Sequence, residues 1–422
     1  MEKSLLASLV FSGCLALGSF GCGSDGGDAG GNGGAGGNTQ QGELGVFSWW
    51  VAPGEAEALQ ALFNTYKAAY PNARVSHDVK TSPATWQQVL SENIADPPWD
   101  VFQMSASDIQ KFSGDHPGTI APVQNVYAEP SLNQAAIPEI RNAVTVEGVA
   151  MGVVTGVHRN NSFVFNKQIL DARGLKAPTT LPEFMQVCAD LKSAGVTPVA
   201  MTFEAWALRI MFDEILSGTL GAEGFYNFTK LGGPPTDPAL RASITSAVDT
   251  FHMVLTEYVD VQASKVDGYG WADAAEAIHN GDAVMFFHGD WAKGYLVSLG
   301  WTPGVDFGVS GPPGASDLFV YGADMFGLPT AAPHPETAHD FLEVVASKAG
   351  QVAFNTHKGS TPMRTDVREQ LDEPGKLALD NLMNAKVLMK GHANSAWDDA
   401  FTAYSKDGDK AALLNVYLTA NP

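Results

Sequence analysis

Residues 44–79 read LGVFSWWVAPGEAEALQALFNTYKAAYPNARVSHDV, and their changing periodicity decides the fold class. LGVFSWW is an apolar run of strand length, and VAPG supplies a turn. Leu59, Leu62, Phe63, Tyr66 and Tyr70 then recur at helical spacing until Pro71 ends the helix. ARVSHDV alternates as a second strand. Beyond it, TWQQVLSENIADPP reads as a helix closed by Pro97 and Pro98, and WDVFQMS as a third strand. Strand, helix, strand, helix, strand predicts a parallel sheet of the α/β class.

The pattern then changes. LPEFMQVCADLKSAG, FEAWALRIMFDEILSG, DPALRASITSAVDTFHMVLTEYV and GWADAAEAIHNGD are mainly helical. DAVMFFHGDW, DFGVSGPPG and VYGADMFGLP read as strands, and helices return from HPETAHDFLEVVASKAGQVAFN onward. Alternation of strand-rich and helical segments predicts two lobes, with the chain crossing between them more than once. That arrangement implies a hinge and a cleft.

The chain has 422 residues and a formal net charge of −21. An acidic surface argues against nucleic acid, whose phosphates demand clustered Lys and Arg. Lys3 followed by LLASLVFSGCLALGSF is too short for a comfortable span of ~20 residues and reads as a signal-peptide core. SFGC before residue 23 resembles a lipoprotein signal, so residues 1–22 are expected to end at a lipidated Cys22, with simple cleavage nearby as the rival. Residues 23–42, GSDGGDAGGNGGAGGNTQQG, cannot bury a core and form a flexible tether of typical span roughly 25 Å. Of three cysteines, Cys188 sits in an apolar-periodic helix and is expected to be a buried structural thiol.

From Leu44 to the C-terminus, an ordered set of short motifs is present: FSWW with Glu55, PPWDVFQMSA, VHRNN, EAW, GDAVMFFHGDW, YGADMFGLP and FNTHKGSTPMR. The set resembles the extracellular solute-binding proteins of ABC sugar importers (family 1), in the glucose/mannose-type monosaccharide-binding branch. The resemblance implies a two-lobed periplasmic-binding-protein fold of type II, its α/β lobes joined by three crossover segments around a ligand cleft. The crossings are expected near VVTGVH, VMFFHGD and VYGADMF, with Gly152, Gly156 and Gly322 at bending positions. The lobes would then comprise residues 43–155 with 286–325, and 156–285 with 326–422.

A hexose has an apolar C–H face suited to indole rings and a hydroxyl rim suited to planar polar side chains. The matched positions supply both. Trp49 and Trp50 end the first strand, where alternation sends one ring to the ligand and the other into the lobe. Glu55 either accepts from hydroxyls or favours the positive end of its helix. Gln103 ends the third strand, and Ser105 stands where the family has a His. His158 and Arg159 are donors at the first crossing, the latter alternatively an inter-lobe ion pair. Trp206 and Trp291, expected from different lobes, would sandwich the sugar. Asp290 is a ligand or a brace for its loop, and Asp324 is a bidentate acceptor. Lys358 and His392 are further donors, and Trp86 is an addition to the family pattern.

The resemblance implies a monomeric, non-enzymatic, extracytoplasmic protein in the periplasm or at the cell surface. It would capture a glucose-like monosaccharide by hinge closure and deliver it to permease subunits, touching the membrane only through its lipid anchor and needing no cofactor or metal. The alternatives are an oligosaccharide or polyol as ligand and, more distantly, a secreted glycosidase. The last would need two carboxylates about 5–5.5 Å or ~6.5–9.5 Å apart across a cleft. Glu55, Glu204, Asp290 and Asp324 are available as types, with no catalytic motif around them.

Overall fold

The computed structural model describes residues 42–80, 83–391 and 394–420; the expected signal peptide, Cys22, His392 and all but the last residue of the tether fall outside them. The opening prediction holds. Strand Glu43–Ser48, helix Glu55–Ala69, strand Arg74–Val79, helix Pro83–Asn93 and strand Val101–Ser105 follow in that order. The first strand pairs in parallel with the second and the third, which places it between them. The predicted helical stripe is the buried one: Leu59, Leu62, Phe63 and Tyr66 all face inward.

Two hydrophobic cores result. The first gathers strand Glu43–Ser48 and its neighbours with Phe326, Phe341, Phe354 and Leu379. The second gathers Phe163, Phe212, Phe251, Phe286, Leu296 and Phe401. The sheet of the first lobe runs in the order Val387–Lys390, Leu318–Pro329, Val101–Ser105, Glu43–Ser48, Arg74–Val79, with Val153–Arg159 also paired to Leu318–Pro329. The second lobe holds a four-stranded sheet ordered Phe307–Ser310, Ser162–Asn166, Ala283–His288, Thr197–Val199.

Cys188 is fully buried in helix Leu181–Ser193, as its periodicity predicts. That helix starts where the sequence marks it. Thr180 Oγ1 accepts from the Glu183 amide, and the Glu183 carboxylate reaches back to the Thr180 amide.

The lobe boundaries differ from the sequence expectation. VMFFHGD is not a crossing: Ala283–His288 is an inner strand of the second sheet, bonded to Ser162–Asn166 on one edge and to Thr197–Val199 on the other. Residues around Phe286, Leu296 and Phe307 therefore pack in the second core, and Phe341, Phe354 and Leu379 in the first. The crossings are Val153–Arg159, which leads into the second sheet, the long strand Leu318–Pro329, and Val387–Lys390. They lie side by side, with the long strand hydrogen-bonded to both others. Gly156 serves close approach and not bending: a Cβ there would stand 2.6 Å from Asn355 Oδ1 and Ser360 Oγ.

The lobes also touch at a point made of glycines. Gly294, in the second-lobe helix Trp291–Ser298, meets Gly54 and Gly359 of the first lobe. A Cβ built on Gly294 runs into the Lys358 carbonyl, and one built on Gly54 comes within 3.0 Å of the Gly294 carbonyl.

Candidate functional site: a cleft at converging strand ends

Strands Val101–Ser105 and Val387–Lys390 pair with the same long strand, one antiparallel and one parallel. Their carboxyl ends therefore arrive head-on at its middle. The Ala106 amide donates to the Ala323 carbonyl and the Gly391 amide to the Tyr321 carbonyl, each at 2.8 Å, leaving Gly322 between them. Carboxyl ends of strands are where α/β sheets keep their ligand crevices. A cavity of about 300 Å³ opens there, bounded by Ser105 and Ser107 of the first lobe and Trp206, Arg209 and Asp213 of the second. This is at the lower end of small-molecule pockets, ~300–1,000 Å³.

Of the twelve expected ligand residues, Trp206 alone lines this cavity, and His392 lies outside the described residues. Most of the others form a network beside it. His158 is held at both ring nitrogens, Nδ1 at 2.6 Å from Asp290 Oδ1 and Nε2 at 3.2 Å from Asp324 Oδ2. Burial alone would lower its pKa; the carboxylates of Asp290 and Asp324 outweigh burial and hold the imidazole above its ordinary range. Lys358 Nζ lies 2.7 Å from Glu55 Oε1 and 6.0 Å from the centre of the Trp50 ring.

Exposure separates residues that can meet a solute from those that support them. Trp49, Glu55, Trp291 and Asp324 are part-exposed, and Trp206 is exposed. Trp50, Gln103, His158, Asp290 and Lys358 are buried. Trp50 packs against Phe326 and Phe354, so the inward ring of the Trp pair is the second one. Trp49 is set edge-on against Trp86, which is itself buried and stacked on Phe47. The added tryptophan thus props Trp49. Asp290 takes the bracing role, because its second oxygen accepts from the Arg159 amide at 2.8 Å.

Two expectations need correction. The Arg159 guanidinium turns away from the cleft: it donates to the carbonyls of Leu318 and Ser316 and covers the Phe319 ring. Trp206 and Trp291 belong to one lobe, because the helices they open, Ala205–Phe228 and Trp291–Ser298, both pack in the second core. Their rings sit 6.1 Å apart with His288 5.1 and 5.0 Å from them, so they form one aromatic wall and not a sandwich.

Gln103 is fully buried; its Oε1 accepts from the Trp49 amide, while Nε2 has no partner among the described residues. Arg209, Asp213, Asp398 and Lys390 line the cavity and were not anticipated. Trp206, Arg209, Asp213 and Ser217 stand one, two and three turns apart on one helix face. That polar stripe was visible in FEAWALRIMFDEILSG, but a stripe facing a cleft has the same periodicity as one facing bulk water.

The architecture is that of a two-lobed solute-binding fold. It matches a bacterial solute receptor with an exclusive preference for β-D-galactopyranose at TM-score 0.74 and 16% identity, covering 90% of this chain and 98% of that one. A chitin oligosaccharide binding protein matches at TM-score 0.72 and 18% identity, covering 89% and 97%. Residues 61–385 match the family described as bacterial extracellular solute-binding protein, and the chain belongs to that family. An uncharacterised ABC-transporter extracellular-binding protein of Pyrococcus horikoshii is 28% identical over 98% of this chain and 95% of its own. A probable sugar-binding periplasmic protein of Mesorhizobium japonicum is 28% identical over 81% of each chain.

Proposed function

We propose that this chain is the extracytoplasmic carbohydrate-capturing component of an ABC importer. In this reading the part held at the cleft is a glucose-like hexose unit, free or at the end of a longer sugar. The observation that carries the proposal is the aromatic wall of Trp206 and Trp291, open to solvent beside part-exposed Asp324. Flat apolar rings next to planar acceptors are what a sugar's C–H face and hydroxyl rim require. Part-exposed Glu55 and Trp49 of the first lobe are further contacts in this reading, and buried Gln103 supports Trp49 through its amide. Relatives named as sugar-binding support the same reading. His158, Asp290 and Lys358 act by positioning these groups.

Binding is followed by closure, because the contact groups lie on both lobes and a ligand that touches both favours the closed state. The closed form is delivered to permease subunits, with Cys22 as the expected lipid anchor holding the chain near them. No chemistry is performed on the sugar. The test is a calorimetric screen of glucose, mannose, galactose, xylose, several disaccharides and a polyol, repeated with Trp291→Ala. Binding of a sugar by the wild type and its loss in the variant is the expected result. A folded protein that binds no sugar overturns the assignment.

A further inference from the structure

The single-hexose motif set leaves most of the cavity unused. Beyond Trp206 its largely apolar walls, with Ile210, Leu318 and Val320 among them, carry the polar side chains of Asn160, Arg209, Asp213, Lys390 and Asp398. Arg209 is committed to the carboxylates, pairing with Asp398 and lying 3.8 Å from Asp213. Three other groups are uncommitted among the described residues. Asp213 Oδ1 is buried with no hydrogen-bond partner. Lys390 makes no ion pair or side-chain hydrogen bond. The Asn160 carboxamide, packed 3.0 to 3.1 Å from where side chains on Gly322 and Gly391 would begin, makes none either. A cation and an amide thus face one chamber, with the Asp213 side chain in its wall, and the chamber shares Trp206 with the aromatic wall.

The chemistry of that set selects a ligand class. Arg209 and Lys390 balance Asp213 and Asp398, so the chamber carries no charge of one sign for an anion to answer. The Lys390 ammonium donates and the Asn160 carboxamide both donates and accepts, which suits a neutral polyhydroxyl group whose hydroxyls give and take hydrogen bonds.

We infer that this chamber is a second carbohydrate subsite, so that the solute taken most tightly has at least two sugar units. One unit lies at the Trp206–Trp291 wall and the next lies against Lys390, Asn160 and Asp213. The inference rests on the carbohydrate reading above and deepens it. It also gives the chain a donor, Lys390, across the strand-end junction from Ser105, where the family's histidine is missing.

The experiment is titration calorimetry of the full protein with glucose, galactose and N-acetylglucosamine against maltose, cellobiose, lactose, chitobiose and their trisaccharides. A disaccharide is expected to bind at least tenfold more tightly than its own monomer. In Lys390→Met, a half-exposed strand-end position, the ratio of disaccharide to monomer affinity is expected to fall about tenfold. A monomer that binds as tightly as every longer sugar overturns the second subsite while leaving the carbohydrate reading intact. An unchanged ratio in the variant, checked in Asn160→Ala, also overturns it. Absence of all sugar binding by the folded protein overturns both.

Discussion

Lys358 is the last residue of helix Lys348–Lys358 and Glu55 the first of helix Glu55–Ala69, and their charged groups meet at 2.7 Å. Each charge sits at the helix end whose dipole favours it. Their side chains are only 4% and 13% exposed, so solvent screens the pair little. Removing one partner strands the other charge. Lys358→Met is expected to lower unfolding stability by about 3–5 kcal/mol, the usual penalty for an orphaned buried charge. The double variant Lys358→Met/Glu55→Gln should recover much of that loss. Urea denaturation of the four proteins of this cycle provides the measurement.

The tryptophans divide into core and cleft, and their variants should divide in the same way. Trp50 is buried against Phe326 and Phe354. Trp50→Ala should cost about 3–5 kcal/mol of stability through the cavity it leaves. Trp291→Ala should leave the denaturation midpoint nearly unchanged. If one indole face covers ~100 Å² of sugar at ~25 cal/mol/Å², its loss weakens binding by about 2.5 kcal/mol, or roughly 70-fold. Calorimetry and denaturation on the same preparations separate the two effects.

Two buried histidines should bend the pH–stability profile in opposite directions. His288 is fully buried with neither ring nitrogen partnered among the described residues, and burial lowers its pKa from 6.5 to about 3. Between those values the unfolded chain binds a proton that the folded one refuses, so stability falls as pH falls. His288→Phe should flatten the profile between pH 7 and 4 by roughly 3 kcal/mol.

His158 has the opposite sign. Despite its burial, Asp290 and Asp324 hold its folded pKa above 6.5. Its contribution is therefore complete below pH 6.5 and is lost as pH rises through the folded value. His158→Gln should remove this decline on the neutral side and leave the acid limb, set in part by His288, unaltered. Thermal melts from pH 4 to 9 on both variants check the pair of signs.

The glycine contact between lobes gives a steric prediction. Gly294→Leu would drive a side chain into the Lys358 and His357 carbonyls. The expected outcome is a protein that folds normally in each lobe but has a larger radius of gyration in small-angle scattering. Its affinity for any solute gripped by both lobes should fall at least tenfold. A radius and affinity equal to the wild type's would show that the contact is incidental.

The α/β class was legible because residues 44–105 change from strand to helix periodicity at turns that the chain marks with Gly and Pro. Two-lobedness followed from alternation of segment types. The misassigned crossing had a physical origin. AVMFFH is apolar on both faces, as befits an inner strand covered on each side, and such a run does not reveal which sheet it joins. Val387–Lys390 was missed because four residues are too few to show a period.

At the site, residue type was legible but orientation was not. Arg159 and Asp290 are polar residues beside a cleft, yet they spend their hydrogen bonds on the backbone that shapes it. Arg209 and Asp213 face the cavity from a helix that local sequence alone presents as an ordinary amphipathic one.

The three crossings have a mechanical consequence. Because Leu318–Pro329 is hydrogen-bonded along one side to Val387–Lys390 and along the other to Val153–Arg159, they deform as one ribbon. A ribbon of this kind flexes out of its own plane at little cost, but shearing it within the plane breaks ladder bonds. The easy deformation is thus a tilt of one lobe against the other about an axis lying across the strands. The groups facing the cleft therefore keep their register along the strands while the lobes tilt.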